Sequence, residues 1–210
     1  MDRTLPRSIY VVGVHSSGKT TLVEALLHAL SIQTSGPVHV SEVARTVMAT
    51  QGFTRDNVKT IEMQEAILRY QIHIEQDKRQ REEHLICDRS GIDPLAYARI
   101  FELDQTTRLQ RLLHESGLLD RYRSSLFILL EPVKDFLFDD GIRMVTKEVE
   151  EWKRQSEEFK ATLHHLHIPF IPIGEERKYI RDRVQLVLSM LSGTSLPSTW
   201  NIRNDEELVE

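Results

Sequence analysis

The chain has little of what would mark an unusual setting. It holds a single cysteine, Cys87, so no disulfide can close within it, and that usage fits a reducing compartment. No apolar run approaches the roughly 20 residues needed to span a bilayer. The opening MDRTLPRSIY lacks the apolar core of a secretory signal. Charge of one sign is also missing: the formal net charge is −5, which argues against nucleic acid or an anionic membrane as the main partner but leaves room for a local basic groove. No internal repeat is visible. These absences together predict a soluble, intracellular, cytoplasmic protein, and they leave its oligomeric state open.

What is present is enough apolar residue, 40% of 210, for one domain with a substantial core. Short β-rich runs recur at Ser8–Gly13, Pro37–Glu42, His84–Asp88, Ser125–Pro132 and Ile168–Gly174. Helical spacing fills the intervals: from Leu22, through Ala44 and Met48, over Asp56–Arg81, over Asp93–Glu115 as one or two helices, from about Thr146 to His165, and over Tyr179–Leu191. Alternation of this kind predicts an α/β fold with a five-stranded parallel sheet between two helical layers. The domain is expected over residues 1–191, with a small helical lid at about 138–160. The tail 192–210 is expected to be flexible, although Trp200 and Ile202 suit a packed or partner-binding tail.

Gly13–Thr20, GVHSSGKT, matches G-x-x-x-x-G-K-[ST] at every defined position. It stands between an expected strand and an expected helix, the setting that motif requires. Glycines let the backbone curl so that several N–H groups face one concavity, and a helix N-terminus adds positive potential. The predicted triphosphate cradle is Gly13, His15, Ser16, Ser17, Gly18, Lys19, Thr20 and Thr21, with Lys19 on the terminal phosphates and the Thr20 hydroxyl on Mg²⁺. The fold class is therefore a P-loop NTPase.

Asp88 closes the third strand, at the edge that faces the ligand crevice in an open α/β sheet. A carboxylate there suits the magnesium shell, or else a helix cap, for which Asp93-Pro94 is the better candidate. SEVAR, Ser41–Arg45, follows the second strand. Glu42 there suits a general base and Arg45 an orienting cation; Ser41 as N-cap with Glu42 on the helix dipole is the plainer alternative. Arg89 suits phosphate or a substrate carboxylate, or a structural salt bridge. In DDGIRMVTKEVEEWKRQ, Gly141 suggests a hinge and Arg143 a lid residue, with Lys147, Lys153 and Arg154 weaker candidates, since interspersed helical charge is usually a solvated face. His164, His165 and His167 fit a helix end better than a metal site, and Cys87 is a core residue. Met63, Ile67, Leu68 and Ile74 are core or pocket lining. No Asn-Lys-x-Asp segment marks a guanine-reading switch.

GVHSSGKTTL, SEVAR, DRSGIDPLAYARIF and DDGIRM together resemble the small P-loop kinases related to the nicotinamide-riboside kinase domain of bacterial NAD-biosynthesis regulators, often labelled AAA-type ATPase domains. The chain is also similar to thymidylate and deoxynucleoside kinases, which carry a comparable acidic-Arg pair and a following Ala-Tyr. The likeness runs from about Ile9 to Leu191. It implies Lys19 and Thr20 on nucleotide and magnesium, Asp88 in the metal shell, and Glu42 or Asp88 near the acceptor hydroxyl. It also implies Arg89 near phosphate or substrate, Tyr97 in the acceptor pocket, Arg143 from the lid, and the nucleotide base beside Gly174–Arg177. Asp-Arg-Ser departs from the Asp-Thr associated with the nicotinamide-riboside enzymes, so the acceptor stays open.

The expectation is a kinase that uses ATP, with GTP as the other candidate, and Mg²⁺. It would pass the γ-phosphoryl group to a hydroxyl of a nucleoside-like molecule. The alternatives are a nucleoside monophosphate or polynucleotide 5′-end as acceptor, and a nucleotide-dependent regulatory module.

Overall fold

The computed structural model describes residues 7–31, 38–79, 84–136 and 149–192. Its strands are β1 (Ile9–Val12), β2 (Val38–Val40), β3 (Leu85–Asp88), β4 (Leu126–Leu130) and β5 (Phe170–Ile173). They form one sheet in the order β2-β3-β1-β4-β5, every pairing parallel. Alternation along the strands divides the core. Tyr10, Val12, Leu85, Cys87, Phe127 and Leu129 point to one face, whereas Ile9, Val11, Ile86, Leu126, Ile128 and Leu130 point to the other. Both faces are apolar, so both must be covered.

Helices do this. α1 (Lys19–Ser31) lies on the second face; α2 (Val43–Gln51), α3 (Ile61–Arg79), α4 (Ile92–Ile100), α5 (Thr106–Glu115), α6 (Leu118–Ser124) and α7 (Val149–His165) cover the first; and α8 (Ile180–Ser192) returns to pack beside α1. The three-layer α/β/α arrangement expected from the sequence is the one observed. Cys87 is buried core. Met63, Ile67 and Leu68 are buried as well, while Ile74 is half-buried.

Three local expectations need correction. Asp56–Arg81 is not one helix: a 3₁₀ turn spans Arg55–Lys59, and Thr60 is extended before α3 begins. The Thr54 N–H donates to Asn57 Oδ1 (2.8 Å), and the Thr60 hydroxyl donates to the Asn57 carbonyl (2.7 Å). Local side-chain bonds thus outcompete continuous helix. Asp93 is not a cap: Gly91 is the N-cap of α4, and Asp93 sits within the first turn. Nor does Ser41 cap α2, whose N-cap is Glu42 with no side-chain capping bond. Residues 80–81, 137–148 and 193–210, which include Gly141, Arg143, Lys147, Trp200 and Ile202, lie outside the described residues.

A carboxylate is buried in the first-face core. Glu75 accepts from Tyr10 Oη (2.7 Å), Tyr122 Oη (2.8 Å) and Gln71 Nε2 (2.8 Å). Burial raises its pKa, and the three donors recover only part of that. A raised folded-state pKa means the folded form holds its proton longer than the unfolded chain does. The contribution of this group to stability is therefore greatest below the ordinary glutamate value and declines as pH rises through the raised one. Glu75→Gln is expected to flatten that decline in thermal melts between pH ~4.5 and neutrality. An unchanged slope would mean that other groups set it.

Candidate active site

β1 is followed by Gly13, which no other residue can replace without rearrangement. Its φ is 135°, and a Cβ there would lie 2.4 Å from the Leu130 carbonyl oxygen. Positive φ recurs at Ser16 (53°) and Gly18 (87°), and such alternation turns successive amides toward a common concavity. Within the loop, Ser17 Oγ donates to the Val14 carbonyl (2.9 Å), and Lys19 Nζ donates to the same carbonyl (2.5 Å) and to Ser17 Oγ (3.3 Å). Lys19 is buried; that burial, together with the charge of Arg89, pulls its pKa down to about 7. From above, α7 clamps the loop, with the indole N–H of the fully buried Trp152 donating to the His15 carbonyl (3.0 Å).

Asp88 faces this loop. Its Oδ2 accepts from the Thr20 hydroxyl (2.6 Å), while its Oδ1 is buried with no hydrogen-bond partner among the described residues. A buried orphan carboxylate oxygen beside a threonine hydroxyl, at the rim of a phosphate cradle, suits Mg²⁺. That ion takes one or two protein oxygens and completes its shell with phosphate and water. No cluster of three or more His, Cys, Asp or Glu that could hold a metal occurs among the described residues, the three C-terminal histidines of α7 and its following turn included.

Next along the chain, Arg89 takes φ 82°, a conformation rare for a side-chain-bearing residue, and its N–H donates to the Val11 carbonyl (2.9 Å). Strain of this type persists only where surroundings over-determine it. Here Arg89 Nε donates to Glu42 Oε1 (2.9 Å) and Nη1 to Asp93 Oδ1 (3.1 Å), while Glu42 Oε2 accepts from Arg45 Nε (2.8 Å). Asp93 also accepts from the Ser90 amide (2.8 Å). Burial opposes the charge on Arg89, but Glu42, Tyr97, Asp93 and Asp88 more than offset it and hold its pKa well above the ordinary value. Burial raises Asp93 as well, against the pull of Arg89 and Lys19.

This ion network forms the polar end of a solvent-open cleft whose cavity volume is about 110 Å³. Glu42, Arg45, Arg89, Asp93 and, from the loop, His15 line that end; Met48, Val58, Met63, Ile67, Pro94, Tyr97 and Phe101 make the apolar walls. The carbon of the Arg89 guanidinium sits 5.9 Å from the Tyr97 ring centroid. The structure thus brings Glu42, Arg45, Arg89 and Tyr97 together, with Asp88, Lys19 and Thr20 one step away at the loop. Lys153 and Arg154 do not line the cleft; both are exposed and pair with acidic residues of their own helix, Glu150 and Glu151. Gly174 stands just after β5, its amide donating to Glu176 (3.1 Å).

Residues 8–179 match the model of the AAA domain family AAA_28. The chain belongs to that AAA domain family. No curated protein sequence matches it. Solved structures share its fold at low identity. The NadR protein in complex with NR has a TM-score of 0.65 and 18% identity over 93% of this chain, which spans only 54% of NadR. Deoxyadenosine kinase from M. mycoides with bound dATP has a TM-score of 0.64 and 15% identity, covering 88% of this chain and 99% of that one. Thymidylate kinase from Ehrlichia chaffeensis has a TM-score of 0.58 and 18% identity, covering 89% and 98%. The AAA domain described here therefore has the three-layer α/β/α P-loop fold that these structures share.

Sequence reasoning missed several residues of this AAA domain's site. Asp93 is the second carboxylate on Arg89, and its i,i+4 spacing was an available signal. Gln64 and Gln155 line the cleft from α3 and α7 and are buried; nothing local in the sequence marks them. Trp152 and Arg183 reach the phosphate loop from 137 and 166 residues away.

Proposed function

We propose that this AAA domain is a nucleotide-dependent phosphotransferase, which passes the terminal phosphoryl group of ATP to a hydroxyl of a nucleoside-like acceptor held in the cleft. The observation that carries the reading is the Thr20–Asp88 hydrogen bond. It ties the phosphate loop to the end of β3, directly beside the cleft lined by Glu42 and Arg89. The apolar walls suit a flat ring, and the charged end suits the reacting hydroxyl. The kinase-type fold and the nucleoside and nucleotide kinases that share it support the same class of reaction.

In this reading the loop amides and Lys19 bind the phosphate chain and neutralise charge that grows on the transferred group, where most catalysis of phosphoryl transfer lies. Thr20 and Asp88 would hold Mg²⁺, which supplies positive charge to the phosphate oxygens. Glu42 accepts the acceptor's hydroxyl proton. Arg89, fixed by Glu42 and Asp93, keeps that carboxylate turned into the cleft and presents positive charge to the acceptor side. Arg45 and Tyr97 orient the acceptor, and Gly174 and the turn after it border the nucleotide base.

The test is acceptor-dependent ADP release by the full chain with Mg-ATP or Mg-GTP. The arms are nucleosides, nucleoside monophosphates and oligonucleotides with a free 5′-hydroxyl. Stimulation by a nucleoside is expected. Stimulation by monophosphates or oligonucleotides alone would reassign the acceptor, and tight nucleotide binding that no acceptor accelerates would favour a regulatory module.

A further inference from the structure

Arg183, in the first turn of α8, is 2% exposed, far below what an arginine side chain normally tolerates. No carboxylate lies within ion-pair distance of it among the described residues. Instead Nη1 donates to the Ser17 carbonyl (3.0 Å) and Nε to the Arg177 carbonyl (2.7 Å), while the guanidinium carbon stands 5.3 Å from the Phe136 ring centroid. Nη2 is buried without a partner among the described residues. One cation thus touches the phosphate loop, the turn after β5 and the segment after β4. Burial lowers its pKa, Glu176 offsetting part of that; an arginine so placed still stays charged.

Burying a cation without a counter-charge is unfavourable, so its retention calls for compensation from elsewhere. The peptide group supplies a route. The Ser17 carbonyl and the Gly18 N–H belong to one amide, and a donor on the oxygen polarises the hydrogen at the other end, strengthening the bond that hydrogen makes. Gly18 lies in the curl of the phosphate loop, and a Cβ on it would meet Arg183 Nη1 at 3.1 Å. An anionic ligand on the inner side of the loop would therefore complete a charge arrangement that is unbalanced in the protein alone.

We infer that Arg183 is a positioning residue for the phosphate chain: bonded to the outer side of the loop, it polarises the Ser17–Gly18 amide toward the phosphates and locks the loop to the turn after β5. The inference rests on the reading of Gly13–Thr20 as a triphosphate site. It assigns Arg183 no contact with the transferred group.

The test is a ladder of dissociation constants for adenosine, AMP, ADP and ATP with Mg²⁺, measured on the full-length wild type, Arg183→Met and Arg183→Lys. In the wild type, affinity should climb with each phosphate. In Arg183→Met the ATP constant is expected to weaken about tenfold, the size of one charge-assisted hydrogen bond, while adenosine stays within about twofold. KM for ATP should rise more than kcat falls. Lysine keeps the charge but cannot reach both carbonyls, so the ratio of ATP to adenosine affinity should fall by a smaller factor, about threefold. That variant decides the matter if the methionine protein does not fold. A ratio equal to the wild type's, or a uniform loss across all four ligands, overturns the inference and leaves a structural role. A flat ladder in the wild type overturns the triphosphate site itself, and the inference with it.

Discussion

Lys19→Ala is expected to lower phosphoryl transfer by about 10²–10³-fold or more, the usual cost of deleting one preorganised electrostatic contact, while leaving the ligand-free protein as stable as before. The two halves of that expectation come from the same geometry. Lys19 Nζ is buried against the Val14 carbonyl and Ser17 Oγ, and its depressed pKa of about 7 shows that the folded protein resists its charge. Removing the side chain takes away that burden. The Val14 carbonyl keeps Ser17 Oγ as a donor, so no orphan is created there. The Val14 carbonyl and Ser17 Oγ are both neutral oxygens; phosphates would give the ammonium an anionic partner, so the loss falls on turnover and nucleotide affinity. Steady-state kinetics beside thermal melts check both halves. Near-normal turnover would reject the site, and a collapsed melting temperature would show that Lys19 holds the fold instead.

Glu42→Gln should reduce turnover by about 10²–10⁴-fold, the range of general-base assistance, with little change in KM for ATP. Glu42 is the N-cap residue of α2, yet its carboxylate caps nothing; it is turned to Arg45 and Arg89 at the polar end of the cleft. Glutamine keeps the size and one acceptor, so the cleft keeps its shape. What it loses is the negative charge, which opposes two guanidinium groups and would take the acceptor's proton. Arg89 retains Asp93, so the accompanying loss of stability should stay near 1–3 kcal/mol, that of a charged hydrogen bond. Separate kcat and KM values for ATP and for the best acceptor provide the check. Unchanged kcat at saturating acceptor would remove Glu42 from the reaction and leave it as an anchor for Arg89.

Gly13, Lys19, Thr20, Glu42 and Asp88 were legible in the sequence for a common reason. Each stands at the end of a strand or inside the glycine loop, where local pattern and parallel topology fix position together. The boundary at Thr60 was harder, because the Thr54 and Asn57 bonds that break the helix act over three residues against a long apolar periodicity. The short helix Leu118–Ser124 was missed although Gly117, with φ 73°, supplies a break before it. Arg183, Trp152, Gln64 and Gln155 have no local signature at all. Each sits on a helix as an ordinary polar or aromatic residue, and its meaning comes from what α3, α7 and α8 are laid against. Arg89 lies between these extremes: its place beside the site and its i,i+4 partner Asp93 were readable, but its pairing with Glu42, 47 residues away, required coordinates.

The strand order also dictates when the cradle can exist during synthesis. β1 emerges before both of its partners and skips β2, the next strand along the chain: it pairs with Leu85–Asp88 and Leu126–Leu130. Until those segments emerge, Ile9–Val12 has no ladder to join. Closing spans of this length before any contact rewards them makes such sheets slow to form. The nucleotide loop, which follows β1 directly, thus cannot be held on both sides until β4 is available, and a nascent chain halted before β4 has no finished pocket to fill.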